Sequence, residues 1–214
     1  MNTVIPRRRK EARPGELAAA ALELFVERGF AATRLEDVAA RAGVSKGTVY
    51  LYFENKEALF KSAVETAMMP ALEAAEALAD ESERPAAELL RCFVMGWWQM
   101  IGTNTIGGLP KLLVAEAGNF PEMAGWFYES IMLRAKRAMA RIIELGIRRG
   151  EFRPVEPELA ARVVFGPMFS YILWQRAFKT FMHDLPSPER YLGEAVNLLT
   201  HGLANSDAAK DATP

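Results

Sequence analysis

One short stretch of the chain gathers side chains that donate hydrogen bonds to anionic and polar surfaces. It carries four hydroxyl groups and one ammonium group, on Ser45, Lys46, Thr48, Tyr50 and Tyr52. Gly47 lies among them, and its lack of a side chain lets the backbone come close to a binding partner. Donors of this kind bind phosphate oxygens and base edges, so the stretch could bind a nucleic acid duplex.

Two short helices are needed to position these side chains. Thr33 and Glu36 have the spacing of a capping box that begins the first helix, and Gly43 supplies the left-handed residue that ends it. The apolar face of this helix consists of Leu35, Val38, Ala39 and Ala42. Ser45 is then placed to cap a second helix, which contains the donor-rich stretch.

The second helix has one apolar side and one polar side. Val49 and Phe53 share the side that we expect to face the core. The side chains left to face outward are those of Lys46, Thr48, Tyr50 and Tyr52. This arrangement is typical of a helix-turn-helix, whose second helix enters a major groove about 12 Å wide. An αα-corner in an ordinary helical protein would give the same local pattern and remains an alternative.

The segment Ala21–Phe60 (ALELFVERGFAATRLEDVAARAGVSKGTVYLYFENKEALF) resembles the N-terminal domain of TetR-family transcriptional regulators. The resemblance implies contacts with bases and nearby phosphates at Lys46, Gly47, Thr48 and Tyr50. It implies contacts with the DNA backbone at Thr33, Ser45, Tyr52 and Lys56. Family members often carry an aromatic residue at the position of Leu51 and histidine at that of Tyr52. This chain departs from the family pattern at both positions, which bears on the contact that the resemblance implies for Tyr52.

Composition is compatible with such a regulator. Residues 1–62 hold 11 Lys and Arg against 8 Asp and Glu, whereas residues 63–214 hold 15 against 19. A basic N-terminal part suits a nucleic acid footprint. The single cysteine, Cys92, excludes an internal disulfide and fits a reducing compartment such as the cytoplasm. We find no signal peptide and no apolar run of the roughly 18 to 20 residues that a membrane span needs.

Breakers and charge divide the chain into four predicted parts. These are a disordered basic arm at 1–13, a helix-turn-helix DNA-binding domain at 14–62, a helical ligand-binding and dimerisation domain at 63–204, and a disordered tail at 205–214. The arm could lie along phosphates or enter a minor groove, or it could be a solvated tail. We expect the domain boundary inside the helix that begins near Asn55, which Pro70 should kink or end. Gly166 and Pro167 should bend a later helix, either to widen a cavity or to follow an interface.

Aromatic and methionine side chains are concentrated in the larger domain. Flat rings and flexible thioethers suit a pocket for an apolar or amphipathic ligand. For any one of these residues, an ordinary core position is the alternative. The pocket candidates are Phe93, Trp97, Trp98, Met100, Leu113, Met123, Phe127, Phe165, Met168, Phe169 and Trp174.

The last two long helices are apolar over more than one stripe. A helix that is solvated on one side needs a single apolar stripe, so the extra apolar surface predicts a subunit interface. In the family that the chain resembles, the final two helices of each chain form a four-helix dimer interface, which implies a homodimer here. The interface candidates are Val163, Ile172, Leu173, Val196, Leu199 and Leu203.

The chain lacks the residue patterns of common enzymes. His183 and His201 lie outside any metal-ligand spacing, and there is no nucleophile elbow or phosphate loop. Cys92 is interpreted as a buried structural thiol, with a redox sensor as the alternative. We therefore predict no catalytic residue, no metal and no cofactor.

Together these features predict an all-α, homodimeric, ligand-responsive repressor that binds a palindromic double-stranded operator and no membrane. The segment Arg148–Met168 loosely resembles the body domain of regulators of multidrug efflux operons, which implies control of efflux or stress genes. Two alternatives remain. One is a regulator of the same fold that is controlled by a protein partner or that has no ligand. The other is a helical enzyme or carrier with a vestigial DNA-binding head.

Overall fold

The computed structural model of the protein describes residues 7–80 and 83–204, with side chains from Arg13 onward. Its helices are α1 Arg7–Arg28, α2 Leu35–Arg41, α3 Lys46–Tyr52, α4 Lys56–Asp80, α5 Ala86–Trp97, α6 Leu109–Glu116, α7 Pro121–Phe127, α8 Leu133–Arg148, α9 Pro157–Leu173 and α10 Pro188–Leu203. Within those two ranges there is no strand, and Phe152 forms an isolated bridge with Ala204. The predicted all-α fold is confirmed.

Helix α1 begins earlier than the sequence pattern indicated. It runs from Arg7 to Arg28, so the predicted disordered arm at 1–13 is helical from Arg7 onward, and residues 1–6 lie outside the described residues. The reason lies in composition, because arginine, lysine, glutamate and alanine are strong helix formers that extend a helix already nucleated by its apolar face. Pro14 lies inside this helix. The predicted tail at 205–214 also lies outside the described residues.

The described chain divides into two compact units. The N-terminal unit contains residues 7–70 and Leu112–Gly125, and the C-terminal unit contains 71–80, 83–111 and 126–204. Helix α4 continues through Pro70, where the chain passes from one unit to the other. The sequence had predicted a kink or an end at Pro70, and the helix does not end there.

A cluster of phenylalanines forms the centre of the N-terminal unit. Phe25, Phe30 and Phe60 are fully buried, and their ring centroids lie 5.3 to 5.5 Å apart. Phe120, which follows α6, meets the ring of Phe30 edge to face at 4.7 Å. These contacts fix α1 and α4 around the corner that leads into α2.

The C-terminal unit is built around α5, α8, α9 and α10, which pack against one another. Its core includes Phe93, Met139, Ile143 and Met168, all of which are buried. Gly146 permits a close approach, because a Cβ there would lie 2.4 Å from the ring of Phe152. Three single π-helical turns, at Trp98–Gly102, Tyr128–Met132 and Trp174–Phe178, continue or join these helices. Such turns are a frequent feature of functional regions.

Across 7–80 and 83–204, none of the helices combines the length and apolarity needed to cross a membrane. The same residues contain no group of three or more His, Cys, Asp or Glu side chains arranged to hold a metal ion.

Candidate nucleic-acid interface

A tight corner sets the direction in which α3 leaves α2. Gly43 has φ 66°, a left-handed conformation that favours glycine, and Val44 donates its amide hydrogen to the carbonyl of Ala39 at 2.9 Å. Ser45 then caps α3, because its Oγ accepts a hydrogen bond from the Thr48 amide at 3.3 Å. The predicted cap of α3 is confirmed.

The inward side of α3 is as predicted. Val49 is fully buried, and Phe53, just beyond the helix, is 8% exposed. Tyr50 is 48% exposed and Leu51 is 71% exposed. Ser45, Lys46 and Gly47 are exposed as well, whereas Thr48 and Tyr52 are half-buried. The start of α3 and its outward side therefore form a surface open to a partner.

Lys46 is tied to neighbouring groups on this surface. Its ammonium forms an ion pair with the carboxylate of Glu36 on α2 and lies 5.7 Å from the ring centroid of Tyr50. The hydrogen bond from Lys46 lowers the pKa of Glu36, and the same bond raises the pKa of Lys46. The pair favours the charged form of both groups and ties the side chain of Lys46 to α2.

Two side chains predicted to contact the DNA backbone form hydrogen bonds inside the N-terminal unit. Thr33 is buried, and its hydroxyl lies 2.8 Å from the carbonyl oxygen of Gly29 and 3.2 Å from that of Leu24. The ammonium of Lys56 donates to the carbonyls of Phe30 and Ala31 at 2.8 and 3.2 Å. Both side chains stabilise the turn between α1 and α2, which carries the helix-turn-helix.

The predicted capping box at the start of α2 was wrong by one residue. The amide of Arg34 donates to the carboxylate of Asp37 at 3.3 Å, and Arg34 is the residue that precedes the helix. Thr33 cannot serve as the cap because its hydroxyl points inward to the carbonyls of Leu24 and Gly29.

Leu51 and Arg41 are two residues whose part in this unit the sequence interpretation missed. Leu51 also faces outward on α3, whereas only Lys46, Thr48, Tyr50 and Tyr52 were predicted to do so. Arg41 donates to Glu27 at 2.8 and 3.1 Å and to Glu23 at 3.0 Å, which joins α2 to α1. The spacing of Glu23 and Glu27, four residues apart on one helix face, was the signal for that ion-pair network.

The pocket candidates are distributed over both units. Leu113 and Met123 are buried in the N-terminal unit. Within the C-terminal unit, Phe93, Trp98, Phe127 and Met168 are buried, Trp97, Phe165 and Trp174 are half-buried, and Met100 and Phe169 are exposed. Ring contacts join several of them to neighbours, such as Phe93 to Phe165 at 5.8 Å. The half-buried and exposed members are the ones that can reach a ligand without opening the core.

The interface candidates on α9 and α10 also separate by burial. Ile172, Val196 and Leu203 are buried inside the protomer, and Leu173 and Leu199 are half-buried. Val163 is 55% exposed. The same helices also expose Leu159, Phe169 and Leu198. The apolar surface available to a second copy therefore also includes Leu159 and Leu198, which were not among the predicted residues.

Comparison with known proteins gives the family. A family model described as bacterial regulatory proteins, tetR family, matches residues 17–63. A second, described as AefR-like transcriptional repressor, C-terminal domain, matches residues 88–199, more than half of the chain. The chain belongs to the TetR family. It is thus a DNA-binding transcriptional regulator and not an enzyme.

Individual relatives and structural neighbours are distant but cover most of the chain. The helix-turn-helix-type regulator YfiR of Bacillus subtilis is 27% identical over 73% of this chain and 76% of its own. SmeT, the repressor of the Stenotrophomonas maltophilia efflux pump SmeDEF, has 21% identity and a TM-score of 0.74, over 90% and 91% of the two chains. FadR of Bacillus subtilis in complex with stearoyl-CoA has 22% identity and a TM-score of 0.73, over 88% and 98%.

Proposed function

We propose that this TetR-family protein is a cytoplasmic homodimeric repressor that leaves a palindromic operator when an apolar or amphipathic ligand binds its C-terminal unit. The observation that carries the proposal is the exposed side of α3. The opposite side of this helix is anchored in the core by Val49 and Phe53. In this proposal Lys46 and the backbone amides at the N-terminus of α3 bind phosphates, and Tyr50 contacts a base edge or phosphate. Thr33 and Lys56 support this surface from inside the unit.

Two subunits are required because one short helix reads a single half-site. Leu159 and Val163 lie four residues apart on α9, and Gly166 continues the same stripe. A Cβ added at Gly166 would meet nothing within 4 Å, so a partner helix can approach there. We infer that this stripe and Leu198 on α10 pair with a second copy. The two α3 helices must then lie about 34 to 36 Å apart to enter successive major grooves.

The ligand class is inferred from the side chains of the C-terminal unit. Trp97, Phe165 and Trp174 are half-buried beside its core, and such rings favour apolar and amphipathic molecules. The names of structural neighbours are compatible with this class, because SmeT is described in complex with triclosan and FadR with stearoyl-CoA. Genes for efflux or for fatty-acid metabolism are therefore the candidate targets.

The N-terminal unit offers two routes for the ligand signal. The first is α4, which passes from one unit to the other at Pro70. The second is the segment Leu112–Gly125, whose buried Glu116 accepts a hydrogen bond from the amide of Ala31 at 3.2 Å. That bond ties the segment to the corner that carries α2. The ligand must bind more tightly to a conformation in which the spacing of the two α3 helices no longer matches successive major grooves. Either route can then transmit ligand binding to α3 and release the DNA.

Selection of bound sequences from random double-stranded DNA tests the proposal. We expect a palindrome whose half-sites are one helical turn apart, and we expect Tyr50→Ala to weaken binding roughly tenfold or more. Tyr128→Ala, at an exposed tyrosine of the C-terminal unit, is the matched control and should bind as wild type. A purified protein that enriches no sequence, even at low salt, would contradict the proposal.

Thermal unfolding tests the ligand part separately. A panel that includes triclosan and stearoyl-CoA should contain a compound that raises Tm and lowers operator affinity. If operator binding is intact and no compound in a broad apolar panel has either effect, control by a protein partner is the better interpretation.

A further inference from the structure

The side chain of Leu51 is exposed to an unusual degree for an apolar residue on a short helix. It is 71% exposed, and among the large apolar side chains of 13–80 and 83–204 only Phe181 exceeds it. Burying an apolar side chain away from water is favourable. Leu51 gains little of this within its own chain, so the stabilisation is available to a partner that covers α3.

The position of Leu51 relative to Gly47 explains what such a partner would meet. The two residues lie four apart on α3 and share one stripe, and Lys46 and Tyr50 form the adjacent stripe. A Cβ added at Gly47 would have only the Ser45 hydroxyl within 4 Å, at 3.9 Å. The surface is therefore open at Gly47, where the backbone can approach a groove closely. A duplex that approaches Gly47 closely would also meet Leu51 on the next turn of α3.

An aliphatic side chain limits the chemistry of that contact. Leucine neither donates nor accepts hydrogen bonds, so it gains nothing from a phosphate oxygen or from the polar edge of a base. The major groove offers one apolar group among the four bases, the C5 methyl of thymine. We propose that Leu51 is a specificity-determining residue that reads a thymine in each operator half-site by packing against its C5 methyl group.

This assignment rests on the proposed binding of α3 in a major groove, and it adds a readout that the polar donors cannot supply. Hydrogen bonds from Tyr50 or Lys46 distinguish donor and acceptor patterns. They do not detect the methyl group that separates thymine from uracil, because the two bases have the same polar edge. The contact of Leu51 therefore has its own chemical signature in DNA.

Removing single methyl groups from the operator tests the assignment. In the selected operator, each thymine of a half-site is replaced in turn by deoxyuridine, and affinity is measured for the wild type and for Leu51→Ala. We expect one position at which the replacement weakens wild-type binding about fourfold, the factor that corresponds to roughly 0.8 kcal/mol for one buried methyl-sized group. At that position Leu51→Ala should bind thymine and deoxyuridine equally.

Val114→Ala is the matched control, because Val114 is 63% exposed on α6 in the same unit and should keep the wild-type sensitivity. Circular dichroism and sedimentation must show that Leu51→Ala keeps the wild-type fold and oligomeric state, as its exposure leads us to expect. The assignment is overturned if no thymine shows a sensitivity that Leu51→Ala removes, or if Leu51→Ala changes the oligomeric state. A wild type that selects no DNA would instead overturn the proposed function.

Discussion

At the residue scale, the proposed DNA contact of Lys46 implies that Glu36 competes with DNA for the ammonium group of Lys46. The two side chains form an ion pair across the surface that should meet phosphates, and the hydrogen bond from Lys46 lowers the pKa of Glu36 so that the carboxylate stays charged. A phosphate that approaches Lys46 must therefore also approach a negative charge. In the proposed complex, Glu36 should therefore weaken non-specific attraction and leave the polar contacts of α3 to determine where the protein binds.

Replacing Glu36 by glutamine should strengthen DNA binding. The substitution removes the negative charge and frees Lys46, so we expect operator affinity to rise roughly threefold or more at about 0.05 M salt and the gain to shrink as salt screens it. Fluorescence anisotropy with labelled operator over a series of salt concentrations measures both effects. Glu122→Gln, at an exposed glutamate of α7, is the control. An unchanged or weaker affinity of Glu36→Gln would mean that the ion pair orders Lys46 for binding.

Residue types and spacing predicted the outward face of α3, because a seven-residue helix with Val49 inward has little freedom in what it exposes. The same pattern could not show that the side chains of Thr33 and Lys56 have hydrogen-bond partners inside the unit. Their polar atoms meet carbonyls of Leu24, Phe30 and Ala31, and these carbonyls come within reach only after the α1–α2 turn has folded. A polar side chain in a binding motif therefore has two possible partners, and sequence alone does not say which one it takes.

At the scale of elements, an ion pair joins the end of α4 to α8. Arg134 donates from Nε and from one terminal nitrogen to the two carboxylate oxygens of Glu76, at 2.9 and 2.8 Å. This two-bond geometry is stronger than a single contact. Asp80 and Arg141 form a second pair between the same helices. These bonds fix the part of α4 that belongs to the C-terminal unit.

The Glu76–Arg134 pair should contribute stability that depends on pH. Its hydrogen bond lowers the pKa of Glu76, so the stabilisation is present above the ordinary glutamate pKa of about 4.3 and is lost as pH falls through the lower, folded-state pKa. We expect Glu76→Gln to cost about 1 kcal/mol at pH 7, or roughly 2 to 4 °C in Tm, and to cost less in acid. Glu144→Gln, which disrupts an exposed pair with Arg148, should have a smaller effect. A cost for Glu76→Gln that is the same at pH 3 and pH 7 would contradict this account.

Pro70 interrupts the backbone hydrogen bonding of α4. A proline has no amide hydrogen, so the carbonyl of Thr66 lacks its usual helical partner at the position where α4 passes between units. Pro70→Ala should restore that bond and raise the free energy of unfolding by up to about 3 kcal/mol. If α4 carries the ligand signal by bending there, the stiffer helix should also require more ligand to release operator.

Chemical denaturation measures the first effect, and operator release during ligand titration measures the second. Pro14→Ala is the matched control, since Pro14 lies inside α1 and entirely within the N-terminal unit. An equal change in ligand response for the two variants would argue against a special role of α4 at Pro70.

At the scale of the whole molecule, the helical architecture and the position of the DNA-binding motif could be predicted from the sequence. Both depend on the local spacing of apolar residues and on the glycines and prolines that end helices. The membership of Leu112–Gly125 in the N-terminal unit could not. It depends on a bond between Ala31 and Glu116, 85 residues apart, and on the contact of Phe30 with Phe120. The apolar excess of α9 and α10 was visible, but its division between core and surface depends on packing, which placed Ile172 inside and Val163 outside.

Two neighbouring valines on α9 allow an effect on dimerisation to be distinguished from an effect on folding. Val163 is 55% exposed, whereas Val164 is 3% exposed in the core. Val163→Asp should leave the protomer folded, because an aspartate there stays in water, but it should separate the subunits. Val164→Asp buries an unpaired charge and should unfold the protein. Sedimentation velocity and circular dichroism distinguish these outcomes.

Loss of the dimer should also weaken operator binding. A folded Val163→Asp monomer holds one half-site at a time and loses the effective concentration that links the two heads, so its affinity should fall roughly 10²-fold or more. Its affinity for an isolated half-site should equal that of the wild-type head, because α3 is unchanged. A Val163→Asp protein that stays dimeric and binds the full palindrome normally would remove the α9 stripe from the interface and require another surface of the C-terminal unit to set the spacing of the two α3 helices.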